Sequence, residues 1–209
     1  AIARWASFTR ASAERERISD ESAASLRLTA RRTWAFFETF VTDKENNLPP
    51  DNFQEEPRHV IAHRTSPTNI GLYLVSTVCA HDFGWISLSD AAARLEQTLR
   101  TLGKLERHRG HYFNWYDTET LAVLDPRYVS TVDSGNLAGH LLAVANACRE
   151  WARYADTFMA QKQGLGDALA LLQNSGVTPD VNVDAAIRAV SAALQGHEGG
   201  HDVEANGGE

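Results

Sequence analysis

Cysteine is scarce in this 209-residue chain, with only Cys79 and Cys148 present. Both fall on apolar faces of predicted helices, so we expect small core residues rather than a disulfide, which fits a reducing compartment. Neither has the paired spacing of a zinc site, and the eight histidines are scattered along the chain. The sequence therefore predicts no metal site, and we expect no cofactor.

Positive charge and long apolar runs are also lacking. The formal net charge is -7, so no basic surface offsets the repulsion from nucleic-acid phosphates. Apolar runs such as 70–80 fall well short of the roughly 20 residues that a membrane span requires. Residues 1–10 contain two arginines and no apolar core of a signal peptide. These absences argue against nucleic acid as a partner and against membrane insertion by this segment.

What the chain does contain is apolar periodicity typical of helices, interrupted by long loops. Ser66 followed by Pro67 is the expected start of one helix, and Gly84 is its expected end. The predicted elements are an arm at 1–23, helices at 24–41, 66–82, 88–107, 134–154, 158–173 and 183–194, and a disordered acidic, glycine-rich tail at 196–209. This pattern predicts an all-α fold.

The stretch 110–145 concentrates aromatic, amide and carboxylate side chains ahead of a predicted helix. Asn114, Trp115, Tyr116 and Asp117 follow one another, and Asp133 precedes the helix, where we interpret it as a cap first and a ligand second. Aromatic faces can cover the C–H faces of pyranoses, while short polar groups bind the hydroxyls. The stretch predicts a sugar-binding cleft, and the alternative is a buried aromatic corner with turn-forming Asn and Asp residues.

A second polar loop spans 42–66, where three prolines forbid a continuous helix. Loops this long inside a compact domain are usually functional or disordered, and the apolar residues within this one indicate order. Asp51, Asn52 and Arg64 would then be available to a ligand. The alternative is that Asp51 and Asn52 only close a Pro-Pro-Asp-Asn turn.

The two predicted helices with apolar residues all round suggest an internal repeat of about 67 residues. Each follows a long polar loop, and each loop follows another helix. That order predicts part of an (α/α)6 toroid, in which outer and inner helices alternate and long loops collect at one end. When the starts of the two helices are aligned, Asn69 falls on Asn136. Both would lie in the first turn of an inner helix, where hydroxyls or a carboxylate bind well.

Longer segments carry a resemblance to a known family. They are TWAFFETFVT, LPPDNFQEEP, AHRTSPTNIGLYL, DFGW, RGHYFNWYDT, LDPRYVSTVDSGNLAGHL and ANACREW. Together they resemble the central, glucoamylase-like transglycosylase region of bacterial cyclic β-1,2-glucan synthases, over roughly residues 24–153. The resemblance implies that 24–154 is the N-terminal part of an (α/α)6 domain, with additional helices at 155–195.

The resemblance also implies a function and a location. The parent would be a large protein of the bacterial inner membrane that uses UDP-glucose, with this segment on the cytoplasmic side and the remaining parent domains as its partners. This segment would contribute half of the cleft that closes linear β-1,2-glucan into a ring. Retaining transglycosylation needs two carboxylates about 5 Å apart, which are expected from later parts of the parent. The alternative is a helical scaffold that binds no sugar.

The expected roles of individual residues follow from this resemblance. Trp115 or Tyr116 would stack on a glucose ring, and Asn114 and Asp117 would bind hydroxyls. Asp117 is also the candidate within this chain for a catalytic carboxylate. The full set of expected substrate-binding residues is Asp51, Asn52, Arg64, Asn69, Asn114, Trp115, Tyr116, Asp117, Asp133 and Asn136.

Overall fold

The computed structural model describes residues 18–153, 158–174 and 181–196. Residues 1–17 of the predicted arm and 197–209 of the predicted tail lie outside the described residues. Helices dominate the described part of the chain, as predicted, and they are α1 (Asp20–Phe40), α2 (Pro67–Asp82), α3 (Leu88–Leu102), α4 (Thr131–Trp151), α5 (Phe158–Gln173) and α6 (Val181–Gly196).

The start of α2 lies where the sequence predicts it. The Ser66 side chain accepts a hydrogen bond from the Asn69 N–H, and Pro67 occupies the first helical position, where its missing N–H costs nothing. Gly84 follows the helix with a φ of 75°, which a residue without a Cβ adopts freely. The helix predicted at 88–107 instead ends at Leu102, because Gly103 favours termination there.

The long loops contain short strands that pair in three antiparallel ladders. β1 (Phe53–Gln54) pairs with β2 (Val60–Ile61), and β4 (Arg107–His108) pairs with β5 (His111–Tyr112). The third ladder joins the two loops, because β3 (Arg64–Thr65) pairs with β6 (Tyr116–Asp117). The sequence does not predict these strands, since two-residue ladders are too short for a visible period.

Helix α2 is central in the fold. It forms the most extensive helix interface of the described residues with α4, and it also packs against α1 and α3. Its side chains enter two separate cores. Tyr73 and Ala80 join Trp34 of α1, while Ile70 and Leu74 join a larger core that includes residues of the loops, α3 and α4.

The two cysteines are not core residues, contrary to the expectation. Cys79 and Cys148 are free thiols and both are exposed. The expectation was wrong because each of the two helices carries apolar residues on all of its sides. The sequence therefore could not show which side is covered by other elements of the fold.

Candidate functional site

The β3–β6 ladder brings the two polar loops side by side at the end of the α2–α4 pair where both helices begin, which we call the rim. Arg64 lies opposite Asp117 in this ladder. The first loop closes on itself nearby, since the Asp51 N–H donates to the Ala62 carbonyl and the Ala62 N–H donates to the Asn52 carbonyl. Residues from both predicted binding segments therefore share one surface.

Asp51 is the centre of the polar network in the first loop. Its Oδ2 accepts hydrogen bonds from Arg64 Nε at 3.1 Å and Nη2 at 2.9 Å, and from Asn52 Nδ2 at 3.1 Å. Its Oδ1 accepts from Asn69 Nδ2 at 3.0 Å. The Arg64 side chain is 51% exposed, so this network keeps a cation and an amide at the protein surface.

Asn114 plays the corresponding part in the second loop, but it is buried. In the amide orientation that satisfies every neighbour, its oxygen accepts from Trp115 Nε1 at 2.9 Å and from the Tyr128 hydroxyl at 2.8 Å. Its nitrogen donates to Asp133 Oδ2 at 2.9 Å. The amide thereby fixes the orientation of the Trp115 indole and ties the loop to the first turn of α4.

Thr68 links the first turns of α2 and α4. Its hydroxyl donates to Asp133 Oδ1 at 2.6 Å and accepts from Asn136 Nδ2 at 3.0 Å. Sequence reasoning missed Thr68, because its partners lie more than 60 residues away and a threonine in a first helical turn carries no signal of its own. Tyr128 was also missed, because its bond to Asn114 spans 14 residues of irregular loop, where no local period places two side chains together.

Trp115 is partly buried, and Arg64 lies over its ring with the guanidinium carbon 4.8 Å from the ring centroid. A cation at this distance is attracted to the ring face. One face of the expected stacking platform is therefore occupied by Arg64 in this structure. A sugar ring would use the other face or displace the guanidinium.

Asp133 is not the cap of α4, and that part of the prediction is wrong. The N-cap is Ser130, whose side chain accepts a hydrogen bond from the Asp133 N–H, and the helix begins at Thr131. Asp133 is the third residue of the helix. Its carboxylate is consequently free to bridge Thr68 and Asn114.

The corrected start of α4 also changes the repeat. The two N-caps, Ser66 and Ser130, are 64 residues apart rather than about 67. Asn69 therefore corresponds to Asp133, not to Asn136. Each of these two residues bonds to a side chain of the loop that precedes its own helix, which is Asp51 for Asn69 and Asn114 for Asp133.

Tyr116 cannot stack on a ligand in this structure, because its side chain is 0% exposed. Its hydroxyl donates to the Glu106 carbonyl at 2.6 Å and accepts from the Phe113 N–H at 2.7 Å. Burial raises the pKa of this phenol to about 12, so the neutral form is strongly favoured. Tyr116 holds the second loop together from the inside.

Asp117 closes a turn. Its Oδ1 accepts hydrogen bonds from the Thr120 N–H at 2.7 Å, the Thr120 hydroxyl at 2.8 Å and the Glu119 N–H at 3.0 Å. Partial burial by itself would raise the pKa of the carboxyl, but these hydrogen bonds outweigh it and the pKa is lowered. An ionised carboxylate engaged in this way is suited to fixing a turn, and poorly suited to donating a proton.

A second cluster of titratable groups lies behind the rim. The buried Glu45 accepts from Thr118 and lies 2.8 Å from His63 Nδ1, and ligand atoms of Glu45, His63 and Glu119 all lie within 4.8 Å of one another. Glu119 is itself paired with Lys44 at 2.8 Å. Each of the three residues therefore has a partner within the protein.

The sequence also contains the spacing of a zinc motif at His197, Glu198 and His201, which the prediction of no metal site did not take into account. These three residues lie outside the described residues.

The fold itself is that of the glucoamylase-like proteins. A solved glucoamylase-like protein of Bacteroides fragilis NCTC 9343 superposes with a TM-score of 0.51 and 19% identity, covering 77% of this chain and 37% of that one. A second, from Bacteroides caccae ATCC 43185, has a TM-score of 0.44 and 16% identity, covering 85% of this chain and 36% of that one. No protein-family profile matches the chain.

The sequence comparison is more specific. The chain is 52% identical over 159 residues to the cyclic β-(1,2)-glucan synthase NdvB of Rhizobium meliloti (strain 1021). This confirms the resemblance to the cyclic β-1,2-glucan synthases. The match covers 76% of this chain but only 6% of that synthase, so the chain spans a small part of its relative's length. Among the described residues, no helix is both long and apolar enough to cross a bilayer.

Proposed function

We propose that the rim binds glucose units of a linear β-1,2-glucan. The observation that carries this proposal is the contact of Arg64, held by Asp51 in the first loop, with the ring of Trp115, held by Asn114 in the second. Ordered amides, carboxylates and a guanidinium beside an indole supply both donors for sugar hydroxyls and an apolar face for a pyranose ring. The name of the relative supports the choice of glucan.

Not all ten predicted residues take the same part in this proposal. Asn52, Arg64 and Trp115 would contact the sugar, and so would the exposed Asn136, which bonds to Thr68. Asp51, Asn69, Asn114 and Asp133 would hold those groups in place. Tyr116 and Asp117 would stabilise the loop and leave the sugar to other residues.

We further propose that the segment is part of an (α/α)6 domain, with α2 and α4 as inner helices and α1 and α3 as outer ones. In the parent synthase this domain would close the glucan into a ring on the cytoplasmic side of the inner membrane. The two carboxylates for transglycosylation would come from other parts of the domain, since Asp117 is engaged in its own turn.

The test is isothermal titration calorimetry of the chain with a linear β-1,2-linked glucooligosaccharide. Arg64→Ala removes an exposed charged donor, so we expect binding to weaken about tenfold. Arg100→Ala is the matched control, because Arg100 is an exposed arginine of α3 paired with Glu96. Unchanged affinity in Arg64→Ala, or equal losses in both variants, would contradict the proposal.

A further inference from the structure

The repeat allows the buried faces of α2 and α4 to be compared residue by residue. With the N-caps Ser66 and Ser130 aligned, Tyr73 corresponds to Leu137 and Ala80 to Val144. All four residues are buried, and in each helix they pack toward the elements that come earlier in the chain. Each helix therefore uses the same face to contact what precedes it.

A second face of α2 packs against α4, the next helix of the repeat. Ile70 and Leu74 are buried in the core shared with Leu137 and Val144 of α4. Gly71, on the same face, lies so close to His140 of α4 that a Cβ at this position would clash with the imidazole ring. This glycine lets α4 approach α2 closely.

Most of the corresponding face of α4 is uncovered within the described part of the chain, since Gly135, Ala138 and Leu142 are exposed. The equivalents of Ile70, Gly71 and Leu74 are Ser134, Gly135 and Ala138, and a Cβ at Gly135 would meet no described atom within 4 Å. Val132 and Leu142 beside this face are each 69% exposed. Large apolar side chains at that exposure mark a contact surface when they cluster on one helix.

We infer that this face of α4, formed by Gly135, Ala138 and Leu142, docks a further helix in the way that α2 docks α4. The inference rests on the proposed (α/α)6 arrangement. The occupant is an apolar helix from the rest of the glucoamylase-like domain, and it places a bulky side chain over Gly135, as His140 lies over Gly71. Sufficient chain exists for this, because the match covers only 37% of the Bacteroides fragilis structure and 6% of the synthase.

A second copy of the chain is the alternative occupant when the rest of the domain is missing. The two cases differ in what they require of Gly135. A neighbouring inner helix needs the absence of a side chain there, whereas loose self-association through Leu142 and Val132 does not. Enlarging Gly135 therefore distinguishes the two.

The experiment measures Gly135→Leu in two contexts, the chain by itself and a full-length synthase that carries these residues in place of its own. In the chain alone we expect the midpoint of thermal unfolding to stay the same or rise slightly, since leucine favours helix more than glycine does. In the synthase we expect loss of the folded glucoamylase-like domain and of ring formation, because overpacking a helix interface displaces both helices.

Two matched variants complete the design. Gly71→Leu should destabilise the chain already by itself, because α4 occupies that space. Ala143→Leu should be neutral in both contexts, since Ala143 and its equivalent Cys79 are both exposed. Neutral behaviour of Gly135→Leu in the synthase, or destabilisation of the chain alone, would overturn the inference. Neither result would affect sugar binding at the rim, which the calorimetry tests separately.

Discussion

The loop at 42–66 and α2 form a first loop–helix unit, and the loop at 103–130 and α4 form a second. The two units differ in whether their polar groups are exposed or buried. In the first unit, Asp51 bonds Asn69 of α2 and holds the exposed Arg64 at the surface. In the second unit, the buried Asn114 bonds Asp133 of α4 and fixes the Trp115 indole. The same connection from loop to helix start therefore holds an exposed guanidinium in one unit and fixes a partly buried indole in the other.

This difference predicts the largest stability loss at the second unit. Asn114→Leu would remove the Asn114 partner of Asp133 Oδ2, of the Trp115 N–H and of the Tyr128 hydroxyl, and it would place an apolar side chain against all three. Removing one partner from buried polar groups is costly, so we expect the free energy of unfolding to fall by about 3 kcal/mol in urea titrations. Asn52→Leu in the exposed first unit should change it by less than about 0.5 kcal/mol. Similar losses for both would remove the distinction between the units.

The buried phenol of the second unit should give the next largest effect. Tyr116→Phe leaves the Phe113 N–H and the Glu106 carbonyl unpaired, so we expect a loss of about 2 kcal/mol at neutral pH. A loss as small as that of a surface substitution would show that water replaces the hydroxyl. The measurement is chemical unfolding of the two proteins side by side.

The raised pKa of Tyr116 also predicts that the stability of the fold declines at alkaline pH. The folded pKa of Tyr116 is raised to about 12 from an ordinary value near 10, so the neutral phenol is favoured by folding. Its stabilising contribution is full below pH 10 and is lost as the pH rises toward 12. Unfolding titrations across this range should show a smaller decline for Tyr116→Phe than for the wild type, and parallel curves would contradict the assignment.

The Thr68 hydroxyl, which connects the two units, should contribute less to the free energy of unfolding than the buried Asn114 does. Thr68→Val removes the hydroxyl that donates to Asp133 and accepts from Asn136, while keeping the shape of the side chain. We expect a loss of about 1–2 kcal/mol, since Asp133 retains Asn114 as a partner. Thr68→Ser is the control, because it keeps the hydroxyl and should restore most of the stability. If serine and valine behave alike, the hydroxyl is not what joins the units.

The smallest effect is expected at Asp117. Its folded pKa is lowered, so the ionised form stabilises the fold at neutral pH, and this contribution is lost as the pH falls through the folded pKa. Asp117→Asn should therefore flatten the acid side of the stability profile slightly and leave glucan affinity unchanged. Loss of sugar binding in this variant, with stability intact, would return Asp117 to the list of ligand-contacting residues.

The sequence carried much of the helical organisation but not the choice between neighbouring residues. Ser66 was assigned correctly because Pro67 marks the first helical position. Ser130 and Asp133 both precede good helix-forming sequence, and the choice of Asp133 as the cap shifted the repeat by three residues. A cap is decided by which backbone N–H groups remain unpaired, and several nearby serines and aspartates can satisfy them.

Trp115 and Tyr116 show which feature of the candidate site could not be predicted from the sequence, namely which of two adjacent aromatic side chains is buried. Neighbouring residues in an extended segment point to opposite sides, so only one of them faces the core. The pairing of β6 with β3 buries Tyr116, and that pairing joins residues about 50 positions apart. The meeting of the two loops was predicted from the order of long and short connections, whereas its hydrogen bonds depend on partners that no local pattern reveals.

Tryptophan fluorescence during titration with a linear β-1,2-linked glucooligosaccharide tests the central claim most directly. We expect a saturable change in the wild type that is lost in Trp115→Phe and kept in Trp151→Phe, since Trp151 ends α4 roughly 30 Å from the rim. No change in the wild type, or an equal change in Trp115→Phe, would contradict sugar binding between the two loops.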